Sequence, residues 1–247
     1  MTINVLVNGA FGRMGQLTVK AISEHPELSL VGQTGREYDL KRSIKDSQAD
    51  VVVDFTHPSA VFNNTLAIIE SGARPIIGTS GLTHEQIHSL QKKCDSLKLG
   101  GIVAPNFSLG AVLMMKYAQK IATLIPNVEI IEMHHTDKAD SPSGTALRTA
   151  QLINESRQTS HAKHEPFASA VETVQGARGA TYQDIAIHSI RLPGLLAHQQ
   201  ILFGSLGETL TLRHDSIDRQ CFMGGVCFAC EKVMSLNHLV YGLEELL

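Results

Sequence analysis

Apolar residues in the first hundred positions fall in short runs separated by amphipathic stretches. Residues 3–7 and the stretch Val51-Val52-Val53-Asp54-Phe55 are nearly all apolar, as strands buried on both faces are; residues 28–31, 75–77 and 102–104 are shorter runs. Between them, residues 13–24 place Met14, Leu17, Val19 and Ile22 at near-helical spacing, and His25-Pro26 stops that helix. Residues 59–71 read as a second helix ended by Gly72. Residues 83–96 read as a third, with Thr83 and Gln86 placed for a capping box. Apolar strands alternating with helices predict a doubly wound parallel sheet covered on both faces.

The pattern changes after Asn106. A helix is expected over residues 109–125, with Val112, Met115 and Ala118 on its apolar stripe, followed by strands over 128–133, 182–191, 199–203 and 208–213. The last of these alternates polar and apolar residues, which suits a sheet with one face on helices or on another subunit. Residues 156–180 are polar and contain glycine, and read as a long loop or flap. Residues 224–234 form an apolar helix expected to pack back on the first domain. The fold expected is therefore α/β, a Rossmann-type doubly wound parallel sheet domain (residues 1–106 and 217–247). A smaller α+β domain with an open mixed sheet (residues 107–216) completes it.

Composition narrows the function classes. The 247 residues are 43% hydrophobic and 18% charged, ordinary for a globular protein. A net charge of −3, no tryptophan and only four tyrosines give neither a basic nor an aromatic platform for nucleic acid. No apolar run approaches the roughly 18 residues of a membrane helix. The chain opens directly on a core strand, with no signal peptide, so the expected compartment is the cytoplasm. Cys227 and Cys230 lie three apart in an apolar helical pattern and read as buried core thiols rather than a metal site.

The first strand-to-helix turn carries Gly9-Ala10-Phe11-Gly12-Arg13-Met14-Gly15. Glycines there let the backbone bend sharply and approach a pyrophosphate, while the helix N-terminus offers unpaired N–H donors to the anion. The spacing is G-x-x-G-x-x-G, and its place between strand and helix marks it as a dinucleotide loop. The second strand lacks the usual ribose-binding acid, because it runs into Gly35-Arg36. Arg36 suits a 2′-phosphate, and Lys41 and Arg42 add to that field, so NADPH is favoured over NADH. Two more loops, Gly78-Thr79-Ser80-Gly81 and Pro105-Asn106-Phe107-Ser108, fall at strand C-terminal ends, where open α/β sheets bind ligands.

The densest chemistry lies in residues 132–147. His134 and His135 close a strand, Lys138 follows within a turn, and Ser143-Gly144-Thr145 opens a helix. That helix start is a ready carboxylate site. A histidine or lysine can give a proton near neutral pH. No third ligand stands at a familiar metal spacing, and none is expected.

These motifs strongly resemble the dihydrodipicolinate reductase family of lysine and diaminopimelate biosynthesis, over nearly the whole chain. The resemblance rests on residues 9–15, Asp54-Phe55-Thr56, residues 78–81, Asn106-Phe107-Ser108 and, above all, His-His-x-x-Lys followed by Pro-Ser-Gly-Thr-Ala-Leu. It implies a homotetramer and reduction of 4-hydroxy-tetrahydrodipicolinate, with loss of water, to tetrahydrodipicolinate. It also implies cofactor contacts at Gly9, Ala10, Phe11, Gly12, Arg13, Met14, Arg36, Gly78, Thr79, Ser80, Ala104, Pro105, Asn106 and Phe107. His134 matches the acid/base and Lys138 the proton donor. His135, Gly144 and Thr145 match substrate contacts, with Ser143 their neighbour. A cyclic dicarboxylate substrate needs the cationic and N–H donors gathered there, and hinges are expected near Asn106 and Ser216.

Three features depart from the family pattern. Gly35 replaces the acid of many members, the segment 38–50 is short, and Thr136-Asp137 varies the motif's interior. Two rival readings are another two-domain nicotinamide dehydrogenase of amino-acid metabolism and a non-catalytic NADPH-binding regulator. Neither would require the cations beside Ser143-Gly144-Thr145. The sequence leaves open which of His134 and Lys138 delivers the proton.

Overall fold

The first half builds β1 (Ile3–Asn8), α1 (Arg13–Glu24), β2 (Leu28–Thr34), α2 (Leu40–Ser47), β3 (Val51–Asp54), α3 (Val61–Glu70), β4 (Arg74–Ile77), α4 (His84–Leu97), β5 (Gly101–Val103) and α5 (Leu109–Ile121). The second adds β6 (Asn127–His134), α6 (Gly144–Thr159), β7 (Ala180–Tyr182), β8 (Ile185–Arg191), β9 (Ala197–Ser205), β10 (Glu208–Ser216), α7 (Met223–Lys232) and β11 (Leu239–Tyr241). This computed structural model describes residues 2–160 and 171–247. The chain divides into two units, Met1–Leu109 with Arg219–Leu247, and Gly110–Asp218.

In the first unit six strands lie in the order β2-β1-β3-β4-β5-β11, every neighbouring pair parallel. The strands are apolar because both faces are covered: Leu6, Val52, Ile77, Ile68 and Leu90 share one buried cluster. The order reverses between β1 and β3, which opens a crevice at the C-terminal ends of those strands, where doubly wound sheets take ligands. Helix α4 starts with the expected capping box of Thr83 and Gln86. Cys227 and Cys230 are buried on α7, and burial pushes both thiols up, as for core packing.

In the second unit β10-β9-β6-β8-β7 form a mixed sheet, with β6 and β8 parallel and the other pairs antiparallel. Alternation along β6 turns Val128, Ile130 and Glu132 inward. The first two pack with Met114 and Ala118 of α5 and Ala150 and Ile153 of α6.

Two expectations need correction, and two elements lie beyond those expected. The single strand over 182–191 is a hairpin, in which Gln183 and Asp184 both take positive φ in a two-residue turn; neither is the glycine or asparagine that normally signals such a turn. Helix α2 lies in a stretch with no strong stripe, since only Ile44 of it is buried; Asp39 caps it at the Arg42 N–H. The short β11 extends the parallel sheet beyond the expected C-terminal helix. The expected loop over 156–180 fails at its start, where α6 runs to Thr159, and at its end, where β7 begins; its part from 161 to 170 lies outside the described residues.

Candidate active site

The glycine loop is held by its own backbone. Gly9 has φ of 83°, and a Cβ there would stand 2.2 Å from the Phe55 carbonyl oxygen. A Cβ on Gly15 would stand 2.0 Å from the Gly9 oxygen, so both positions admit only glycine. The N–H groups of Gly9 and Ala10 donate to the Thr34 carbonyl, and that of Gly12 to the Gly9 carbonyl. Gln16 bonds back to Gly12, and no side chain caps α1. The donors of Arg13, Met14 and Gly15 are thus the orphan set of a helix start. This cradle fits a pyrophosphate, with a bare helix terminus and no acidic residue in its first turn.

A buried polar network fastens the neighbouring loops. The Asp54 carboxyl is fully buried at the end of β3. It accepts from Asn8 Nδ2 (2.8 Å), Asn64 Nδ2 (3.0 Å), Thr56 Oγ1 (2.7 Å) and Thr79 Oγ1 (2.6 Å). Thr34 joins through Asn8 Oδ1 at 2.9 Å. Four strand ends are tied to one acid in this way. Phe55 adds an apolar clamp: a Cβ on Gly78 would fall 2.1 Å from its ring, and Phe107 meets it edge-on at 5.7 Å. Residues 9–15, 78–80 and 104–107 therefore share one edge of the sheet.

Phe107 and Thr79 are buried within this scaffold, Ala104 also, whereas Ser80 and Pro105 are exposed and Gly78 is half-buried. Asn106 Oδ1 accepts from the Ser108 N–H at 2.8 Å. Beyond β2, Arg36 is exposed, and the exposed Phe11 ring lies over Gly35 and against Tyr38. Lys41 and Arg42 are already engaged, with Glu70 at 2.7 Å and Asp46 at 3.5 Å.

The second unit carries the cation cluster. His134 is two residues beyond Glu132 on β6, so the pleat sets both side chains on one face. His134 Nδ1 lies 2.5 Å from Glu132 Oε2. Arg191, opposite His134 in the β6–β8 register, grips Glu132 with both terminal nitrogens, at 2.9 and 2.8 Å. Burial pushes the Glu132 carboxyl up, but hydrogen bonds from His134, Arg191 and Ser189 outweigh it and hold the group at about 2. An ionised Glu132 can only accept, so the proton between the pair sits on His134 Nδ1. Nε2 is then the ring atom that can give or take a proton.

Lys138 Nζ donates to Asp140 Oδ1 at 2.6 Å. Ser143 caps α6, accepting from the Ala146 N–H at 3.2 Å, and is itself buried. Its hydroxyl serves the helix rather than facing out. Gly144 is exposed, with nothing within 4 Å of a Cβ placed there, so the helix start has no side chain over it. Thr145 and His135 are half-buried beside it and at the strand end. The structure thus brings His134, Lys138, Ser143 and Gly144 around one strand end, opposite a helix start.

Sequence reasoning assigned no role to Asp54, Asn8, Asn64, Glu132 or Arg191. Two signals were available: an acid ending the run of three valines before Asp54, and an acid at the inward position of β6 after Val128 and Ile130.

Comparison with known proteins places this geometry. The family model described as "Dihydrodipicolinate reductase, N-terminus" matches residues 3–107, and "Dihydrodipicolinate reductase, C-terminus" matches residues 110–247. The 4-hydroxy-tetrahydrodipicolinate reductase of Coxiella burnetii is 57% identical over 247 residues, covering 100% of both chains. That of Legionella pneumophila is 51% identical with the same coverage. The solved dipicolinate-bound dihydrodipicolinate reductase of Paenisporosarcina sp. TG-14 is 45% identical, covers 100% of both chains and superposes with a TM-score of 0.90. The chain belongs to the dihydrodipicolinate reductase family.

Proposed function

We infer that the protein is an NAD(P)H-dependent 4-hydroxy-tetrahydrodipicolinate reductase of lysine and diaminopimelate biosynthesis. The observation that carries the reading is His134, bound to Glu132 at the end of β6 beside Lys138 and the open start of α6. Full-length identity of 57% to a reductase of that name supports it.

The first unit is assigned to the dinucleotide and the second to the substrate. The α1 start and residues 9–14 would hold the pyrophosphate, and residues 78–80 and 104–107 would flank the nicotinamide end. Bound there, the reduced nicotinamide supplies a hydride. Arg36, exposed past β2 with no acid at position 35, favours NADPH over NADH because a guanidinium pairs well with a phosphate monoester.

The substrate is a cyclic dicarboxylate, and dipicolinate, bound in the Paenisporosarcina relative, is another. One carboxylate is placed on the N–H groups of Gly144 and Thr145 at the α6 start, where the helix dipole adds to the hydrogen bonds. His135 and Lys138 supply positive charge and donors for the rest. The reaction consumes one hydride and one proton and releases water. His134, through Nε2, or Lys138, through Nζ, gives that proton. Lys138 gives one of its three N–H donors to Asp140, which leaves two for a substrate.

Among the described residues no helix is long and apolar enough to cross a membrane, and we place the enzyme in the cytoplasm. The sheet face away from α5 and α6 bears Ile131, Leu202 and Thr209 around a shallow hollow. We assign that face to contacts between copies in a homotetramer.

The test is oxidation of NADPH and of NADH by the purified protein. Substrate is formed in place from pyruvate and aspartate semialdehyde by the preceding synthase. Synthase-dependent oxidation, faster with NADPH, is the expected result. Folded protein that binds NADPH yet oxidises neither cofactor would overturn the assignment.

A further inference from the structure

Glu132 stands where the pleat of β6 calls for an apolar residue. Val128 and Ile130 precede it on the same inward face, and Glu132 is 0% exposed. Its neighbours in register are Ser189 on β8 and Gln199 on β9, and Gln199 Nε2 in turn donates to the Thr149 hydroxyl oxygen of α6 at 2.8 Å. Buried polar groups Glu132, Gln199 and Thr149 therefore meet at the level of the site.

The two oxygens of Glu132 divide their work. Oε2 takes His134 Nδ1 and Arg191 Nη1, while Oε1 takes Arg191 Nη2 and, more loosely at 3.3 Å, the Ser143 N–H at the head of α6. Arg191 continues outward, donating to the Asp140 carbonyl at 2.7 Å, and Asp140 holds Lys138. The Leu192 N–H, next in the chain, bonds the His134 carbonyl at 3.1 Å. His134, Lys138 and the Ser143 N–H are each within two links of this one ion pair. Arg191 Nε is buried with no hydrogen-bond partner among the described residues. Such a pair is a poor means to stability, since well-packed apolar side chains often do as well.

We propose that Glu132 and Arg191 are a positioning pair for the reduction: Glu132 fixes His134 with its proton on Nδ1 and Nε2 turned to the reaction, and Arg191 locks Glu132 while setting the Asp140–Lys138 turn and the α6 start. The inference rests on the reductase reading above. It adds two residues that act through His134, Lys138 and Ser143 without being assigned contact with substrate.

The physical expectation follows from what an amide would do in place of the acid. Glutamine keeps the shape but can donate as well as accept, so the ring is no longer held in one tautomer. In a comparable orienting pair, exchanging acid for amide lowers kcat by about 10⁴ with geometry intact.

Two measurements on the full chain test the proposal. The first needs no substitution in the sample: the imidazole ¹⁵N spectrum of the native protein, with His134 assigned by its loss in His134→Gln. A protonated Nδ1 at neutral pH is expected. An unprotonated Nδ1 overturns the proposal. The second is kinetics of Glu132→Gln and Arg191→Lys with synthase-supplied substrate. Glu132→Gln is expected to lower kcat by at least ~10²-fold, to leave the KM for NADPH within about twofold, and to lose the Nδ1–H tautomer. Arg191→Lys is expected to keep the tautomer, lower kcat about tenfold and raise the KM for the dicarboxylate. Variants that merely melt earlier, with kcat unchanged, would make the pair structural and refute its positioning role. Should Glu132→Gln not fold, the native spectrum and Arg191→Lys decide. If the native protein fails to reduce the substrate at all, the reductase reading falls, whereas the ring tautomer, read without substrate, still judges the Glu132 contact.

Discussion

Among the described residues each unit buries one carboxyl group completely toward the C-terminal end of a strand, and the two are satisfied in opposite ways. Asp54 accepts only from neutral amides and hydroxyls, those of Asn8, Asn64, Thr56 and Thr79. Glu132 accepts from an arginine and a histidine. A neutral network fixes the positions of loops without adding a charge that moves with pH. It suits a site whose task is to present backbone N–H groups to a dinucleotide. A network containing a histidine fixes the position of a proton as well, which suits a site where one is transferred. On the proposed function, the contrast is that of a binding scaffold and a chemical one within a single chain.

The largest effect that separates the two regions is expected at the chemical end. His134→Gln or Lys138→Ala should lower turnover by at least ~10²-fold, the scale of general acid–base groups. NADPH affinity, read by cofactor fluorescence, should stay within about twofold. The mirror experiment is Asp54→Asn, which exchanges an acceptor for a group that must donate. Two of four buried donors then lose good partners, a loss of about 2 kcal/mol. NADPH affinity should fall about tenfold while the His134 ring signals stay in place. An Asp54→Asn protein with native cofactor affinity would dissolve the comparison.

Acid sharpens it further. The Glu132 carboxyl is held at about 2 in the folded protein against an ordinary value of 4.5. Its pKa is depressed, so its stabilisation is fully present above pH 4.5 and is lost as pH falls toward 2. Between those values the native melting temperature should drop more steeply than that of Glu132→Gln, by a few degrees. Parallel curves would contradict the assigned hydrogen bonds. The smallest change is expected at the rim. Arg36→Ala should lower the NADPH-to-NADH preference several-fold and leave kcat with NADH unchanged, measured by the two oxidation rates.

Much of this architecture was legible in hydrophobic period alone. Fully apolar strands such as 51–53 alternating with amphipathic helices can only be a parallel sheet covered on both sides, and the glycine loop announces the nucleotide end. The hairpin at Gln183-Asp184 was hidden because left-handed turn residues were looked for as glycine or asparagine. Helix α2 was hidden because a helix lying on the surface needs only Leu40 and Ile44 as apolar contacts. The cations of the candidate site were visible by type, but their supports were not. Arg191 is far from Glu132 in sequence and becomes its neighbour only through the parallel pairing of β6 and β8. Asn8 and Thr79 likewise meet Asp54, and Thr34 meets Asn8, only because strand order brings their ends together. Polar residues at strand ends read as ordinary turn chemistry until the sheet order is known.

The most direct test of the account is a single assay run on two proteins. Native protein and His134→Gln are each saturated with NADPH, then given substrate generated by the synthase, and cofactor oxidation is followed. The expected result is rapid, synthase-dependent oxidation by the native protein and at least ~10²-fold slower oxidation by His134→Gln at undiminished NADPH affinity. Equal rates from the two proteins would contradict the assignment of proton transfer to this site. Absence of oxidation by native protein that binds NADPH would contradict the reductase reading itself.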